Sequence, residues 1–335
     1  MDERGQSIAC ESFEYGSSDG KTRIHARRWD ALGSPKGIVQ IVHGMAEHIA
    51  RYDEFARFLA EQGYAVCGND HIGHGASAVS PDELSVLPTQ GAQAMIADVH
   101  TLRMLMQGQL GRDVPYILFG HSMGSFIVRV YLARFAVGLA GVVICGTGQP
   151  PRTASRMGEA LARRLAKGKG HDAQSTLINS LVDGAYGKRI PDARTPLDWI
   201  NSDPAKVDEY IDDPLCGKMF SVGGYASLLN LTSQATANKT AAAVPAGMPV
   251  LFIAGELDPV GDFGKGVRAA CAQMEQYSHA QVECIMYPSM RHEILNEPER
   301  QRVFDDVLAW LDDVVEPRGQ GASPAGVGGA TKGRQ

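Results

Sequence analysis

The chain has 335 residues, 44% apolar and 21% charged, the proportions of an ordinary soluble globular protein long enough to bury a large core. Its net charge of −6 argues against nucleic acid as a partner, and no apolar run approaches a membrane span. Met1-Asp2-Glu3-Arg4-Gly5-Gln6 lacks the apolar core of a secretory signal, so the expected location is the cytoplasm.

In chain order, residues 11–30 read as a hairpin. Its turn is Gly16-Ser17-Ser18-Asp19-Gly20, a polar stretch between Phe13-Glu14-Tyr15 and Arg23-Ile24-His25. Residues 37–42 form a compact apolar strand running into His43-Gly44-Met45-Ala46-Glu47-His48. Over residues 51–62, Tyr52, Phe55, Phe58 and Leu59 recur at helical spacing, and Gly63 ends the run. Tyr64-Ala65-Val66-Cys67 is the next strand, followed by a turn-rich loop at residues 69–75. There His71 and His74 read as turn residues, because no Cys or carboxylate cluster completes a metal site.

Residues 97–110 predict a helix. Ile117-Leu118-Phe119 is an apolar strand that breaks at Gly120-His121-Ser122-Met123-Gly124 and resumes with helical spacing, which places Ser122 at the tip of a sharp strand-to-helix turn. A Cβ at position 120 or 124 would collide in such a turn, and glycine removes the collision. The helix behind it aims its N-terminus, and so its free N–H groups and dipole, at the serine. Further strands are expected at residues 141–146, 248–255 and 282–287, and an amphipathic helix at 299–315. Strands alternating with helices predict a mostly parallel sheet covered on both faces.

Between residues 148 and 244 the alternation stops. This Ala-rich stretch, broken by Pro191, Pro196, Pro204 and Pro214, predicts a helical cap inserted into a core made of residues 1–147 and 245–315. One catalytic domain with an insertion fits the length better than two domains. Residues 316–335 are rich in Gly, Ala and Ser without an apolar pattern and predict a disordered tail. Cys10, Cys67, Cys145, Cys216, Cys271 and Cys284 show neither CxxC pairing nor metal-ligand spacing and read as free thiols. Cys67, Cys145 and Cys284 are expected as small buried hydrophobes in strands.

A serine hydroxyl is a poor nucleophile until an oriented base takes its proton. With Ser122 on an elbow of this kind, an acid and then a histidine are expected at later strand ends. Asp258 follows the strand that ends at Gly255, and Pro259 fixes the turn after it. Glu256 is the competing acid. His292 is the only histidine after the last strand. His121 does not serve as base, because adjacent side chains on a tight turn diverge. The oxyanion donors expected are the Met123 N–H, next to the nucleophile, and the Met45 N–H, in the loop after the early strand.

Taken in order, the set Val42-His43-Gly44-Met45-Ala46-Glu47-His48 with Arg51-Tyr52, Asp70 with Gly73-His74-Gly75, Gly120 to Gly124, Gly255 to Val260 and Arg291-His292-Glu293 resembles the monoacylglycerol lipase and lysophospholipase branch of the α/β-hydrolases, of the serine aminopeptidase S33 type. The resemblance spans nearly all of residues 20–315. It implies the α/β-hydrolase fold with a helical cap, and cofactor-free and metal-free ester hydrolysis on a small-molecule, single-chain lipid whose acyl group lies in an apolar tunnel under the cap. Ser125 and Ser289 stand where the family often has glycine. Asp212-Asp213-Pro214-Leu215-Cys216-Gly217 resembles a segment that family members carry in the cap.

Met219, Phe220, Leu228 and Leu229 are candidate acyl-tunnel residues; with Leu231 they read equally well as the packing face of a cap helix. Arg152, Arg156, Arg163, Arg164, Lys167 and Lys169 read as a solvated helix face, with peripheral contact to an anionic membrane as the alternative. The rival activities are a short-chain carboxylesterase and an aminopeptidase with the same triad, the latter holding an ammonium group on Asp208, Glu209, Asp212 or Asp213. A non-catalytic binding protein on the same scaffold is the rival of another class. The oligomeric state is left open.

Overall fold

The computed structural model describes residues 7–182, 184 and 186–316. In order, the elements are β1 (Cys10–Gly16), β2 (Arg23–Trp29), β3 (Gly37–Val42), α1 (Asp53–Glu61), β4 (Tyr64–Asn69), α2 (Gly91–Leu110), β5 (Tyr116–His121), α3 (Met123–Phe135), β6 (Gly141–Cys145), α4 (Arg152–Lys169), α5 (Thr176–Val182), α6 (Pro204–Asp212), α7 (Val222–Ala235), α8 (Asn238–Ala242), β7 (Pro249–Gly255), α9 (Lys265–Ser278), β8 (Gln281–Tyr287) and α10 (Arg300–Val315). The eight strands form one sheet in the order β1-β2-β4-β3-β5-β6-β7-β8. β1–β2 and β2–β4 are antiparallel and every other pair is parallel. This is the α/β-hydrolase architecture.

The central strands are apolar at nearly every position because successive side chains enter two different cores. Ile38, Leu118, Val142 and Phe252 face a layer of α2, α3 and α9. Val39, Ile117, Val143 and Leu251 face α1 and α10, where Phe55, Phe119 and Phe304 meet with ring centroids 5.0–5.3 Å apart. Parallel strands put their carboxyl ends on one edge, so the loops after β3, β5, β7 and β8 meet there.

Three expectations need correction or limits. The helix predicted at 97–110 begins at Gly91, because Ala92, Met95 and Ile96 extend its buried stripe by a turn and a half. Cys284 is exposed, unlike Cys67 and Cys145, because β8 is an edge strand in which only Tyr287 is buried. The predicted tail lies, beyond residue 316, outside the described residues. Between β6 and β7 the chain forms α4 to α8, with α7 packed on α4, α3 and α2.

Candidate active site

Ser122 links β5 to α3 with φ 53° and ψ −117°, a conformation that costs a non-glycine residue about 1–3 kcal/mol and survives only where its surroundings enforce it. Its N–H donates to the Cys145 carbonyl at 3.0 Å, and its carbonyl accepts from the Ser125 N–H at 2.9 Å and the Ser125 hydroxyl at 2.5 Å. A Cβ on Gly120 would stand 2.6 Å from the Gly124 carbonyl oxygen, and one on Gly124 would run into the Val42 carbonyl. The two glycines therefore let α3 lie against the end of β3.

Asp258, in the loop after β7, is completely buried. Its Oδ1 accepts the Val260 N–H at 2.8 Å, which turns Oδ2 toward His292 Nδ1 at 2.9 Å. A carboxylate can only accept, so Nδ1 carries the proton, and Nε2 is left as acceptor for the Ser122 hydroxyl 2.8 Å away. Glu256 points instead to the surface and pairs with Arg268. Such a line of groups can move the serine proton onto an imidazole held in one tautomer.

Met45 and Met123 border the same space as Ser122, and among the described residues neither N–H has an acceptor. The loop of Met45 is under constraint. Gly44 comes so close to the elbow that a Cβ there would lie 3.0 Å from Ser122 Cβ. Ala46 is left-handed, at φ 53°, and its carbonyl accepts both the Tyr210 hydroxyl at 2.8 Å and the Gly217 N–H at 3.0 Å. α6 and the turn after it thus hold the carbonyl of this left-handed residue.

Beneath lies a buried ionic network that sequence reading did not resolve. Glu47 accepts from the Gly44 N–H at 2.6 Å, the Tyr52 hydroxyl at 2.9 Å and Arg51 at 3.2 Å, and His121 Nδ1 lies 3.2 Å away. Arg51 also clamps Glu293 through two bonds of 2.5 and 2.8 Å, and stacks on the Tyr210 ring. Burial alone would raise the Glu47 pKa, but the His121 hydrogen bond and the charges of His121 and Arg51 outweigh it, so Glu47 stays ionised. Burial likewise acts to lower the His121 pKa, and its bond and charge pairing with Glu47 reverse this to a net rise. His121 Nε2 lies 3.3 Å from the His292 carbonyl, so one network supports both the Met45 loop and the His292 loop. The visible signal was the short spacing of Glu47, Arg51 and Tyr52 behind His43-Gly44.

Ser122 and His292 open into a cavity of about 1610 Å³. Its apolar wall includes Phe126, Leu161, Ile178 and Leu181, and the Trp199 ring packs 5.1 Å from His292. Met219, Leu228 and Leu229 line it as candidates. Phe220 does not: it is fully buried with its ring against His74 and Tyr225, because its place just before α7 turns it into the core. None of Asp208, Glu209, Asp212 and Asp213 lines the cavity; Asp208 pairs with Arg194, Glu209 with Lys206 and Asp213 with His48. The basic cluster lies on α4, where Arg163 pairs with Glu159 and Arg152 donates to the Ser233 carbonyl.

The family model for serine aminopeptidase, S33, matches residues 33–299. The chain is 28% identical to a monoacylglycerol lipase of Mycolicibacterium smegmatis over 87% of its length and 94% of the relative, and 26% identical to the human monoglyceride lipase over 95% and 96%. A thermostable carboxyl esterase from Bacillus coagulans, solved with glycerol, superposes with a TM-score of 0.85 at 34% identity, over 92% of this chain and all of that one. A monoglyceride lipase from Saccharomyces cerevisiae shares the fold at a TM-score of 0.73 and 20% identity, over 92% and 96%. On the ordered site loops, the sheet topology and these matches, the chain belongs to the serine aminopeptidase S33 family of α/β-hydrolases, as a monoacylglycerol lipase-like member.

Proposed function

We propose that this chain is a serine hydrolase that cleaves carboxylic esters of single-chain lipids, monoacylglycerols foremost, through an acyl-enzyme, with α4 to α8 as its cap. The observation that carries the reading is the Ser122–His292–Asp258 hydrogen-bond line opening into an apolar cavity larger than the roughly 300–1,000 Å³ typical of small-ligand sites. Ser122 Oγ attacks the ester carbonyl while His292 Nε2 takes its proton. Asp258 stabilises the imidazolium, and the Met45 and Met123 N–H groups bind the oxyanion. His292 then protonates the leaving alcohol, and water activated by His292 releases the acid.

Ester rather than aminoacyl substrates are favoured because none of the four acids named as holders of an ammonium group lines the cavity. Among the described residues, the carboxylates that do line it are already engaged: Glu47 and Glu293 share Arg51, with His121 also on Glu47, and Asp262 pairs with Arg189. A second reading, a carboxylesterase for shorter acyl chains, draws on the likeness to the Bacillus coagulans esterase. Hydrolysis of monoacylglycerols, lysophospholipids, p-nitrophenyl esters of increasing chain length and aminoacyl amides, run beside Ser122→Ala, tests the reading. Turnover that peaks at medium or long single chains and disappears in Ser122→Ala is expected. A peak at the shortest esters would select the second reading, and turnover retained by Ser122→Ala would overturn both.

A further inference from the structure

We infer that His48, Asp213 and Cys216 form a site for a borderline-soft divalent cation of the zinc type, at the joint between the Met45 loop and the segment after α6. The donor atoms, one imidazole nitrogen, one carboxylate oxygen and one thiol sulfur, all lie within 4.8 Å of one another. Tetrahedral zinc, with bonds of about 2.0–2.3 Å, spaces such donors by about 3.3–3.6 Å, so small side-chain rotations complete the set. A mixed N, O and S set selects zinc-like cations over calcium or magnesium, which prefer oxygen alone.

The surroundings prepare this geometry. The Leu215 N–H occupies Asp213 Oδ1 at 2.9 Å, leaving Oδ2 directed at His48 Nε2, 2.8 Å away. The Cys216 N–H donates to the Asp213 carbonyl at 3.0 Å, a turn that brings thiol and carboxylate to one side. Cys216 is buried, whereas the Asp213 side chain is 27% exposed, so an entering cation meets the carboxylate first and keeps water as its fourth ligand. The neighbouring Arg51 charge is offset by Glu47 and Glu293.

On binding, the Cys216 S–H bond breaks and its proton goes to solvent. His48 moves its proton from Nε2 to Nδ1, and no electron is transferred. His48 comes from the loop after β3 and the other two from a turn 165 residues or more away, so linear spacing hides the site. The same turn carries Gly217, whose N–H holds the Ala46 carbonyl, so a bound cation braces the loop that carries Met45.

The test is independent of hydrolysis. The full chain, stripped with a chelator, is titrated with Co(II) and read by thiolate-to-cobalt absorption and by melting temperature. One equivalent is expected to raise both signals, with Zn(II) displacing the cobalt band. Cys216→Ser is expected to lose the band while keeping its circular dichroism. Should that variant not fold, His48→Gln, which keeps all six thiols, is expected to weaken cobalt binding by about tenfold or more. No band in the wild type, or an equal band and affinity in His48→Gln and any folded Cys216→Ser, would overturn the proposal, the latter by placing cobalt on an exposed thiol such as Cys10 or Cys284.

Discussion

Among the described residues Asp258 Oδ2 meets a single proton, the one on His292 Nδ1, and on the proposed mechanism that contact sets the tautomer of the base. An amide in its place presents an NH2 group and favours the opposite tautomer, whose Nε2 is already protonated. Asp258→Asn is therefore expected to lower kcat by about 10⁴ at neutral pH with its circular dichroism unchanged. A loss of under tenfold in a folded variant would remove Asp258 from the role. The elbow was legible because its strand, glycines and helix are contiguous, and Asp258 and His292 because each follows a recognisable strand. The network around Glu47 and Arg51 was not: those two are only four residues apart, but Glu293 reaches Arg51 across 242 residues and His121 reaches Glu47 across 74, so each charge reads alone as solvated.

The segment between β6 and β7 acts on the Met45 loop through the two bonds to the Ala46 carbonyl. Tyr210→Phe removes one and keeps the ring against Arg51. A lost hydrogen bond of about 1 kcal/mol predicts a roughly fivefold fall in kcat with KM little changed. A change confined to KM would show that Tyr210 serves substrate binding instead. α7 lines the cavity through Leu229, so Leu229→Trp is expected to move the chain-length optimum to shorter acyl groups while short p-nitrophenyl esters turn over as before. An unaltered chain-length profile would place the acyl chain elsewhere. Composition marked this segment as helical, but the inward turn of Phe220 depends on tertiary packing that its apolar pattern does not reveal.

The molecule as a whole buries three neutral imidazoles, His43, His71 and His74, with ring centroids 4.2–6.2 Å apart. Burial lowers all three pKa values, and that of His74 falls from 6.5 to about 3. The unfolded chain takes up protons near 6.5 that the folded chain refuses, so their contribution to stability is complete above that pH and is lost as pH falls below it, for His74 down to about 3. His121 runs the other way, since its raised value favours the fold in acid and the benefit is lost as pH rises through it. The half-buried His100 is lowered too, so four histidines against one predict a melting temperature that drops below pH 6.5, with a shallower slope in His74→Asn. Equal slopes in the two proteins would show that His74 contributes nothing to the acid limb.

β6 and β7 are parallel neighbours, so the chain that leaves the carboxyl end of β6 must return to the amino end of β7 before it re-enters the sheet. The stretch from α4 to α8 is therefore a connector as well as, through α4 to α7, a wall of the cavity, and α8 near its end packs on α3 and α9. Wholesale deletion of this stretch would leave β7 without a path to its place. Chimeras that exchange this segment among relatives are expected to fold only when their downstream junction lies before α8.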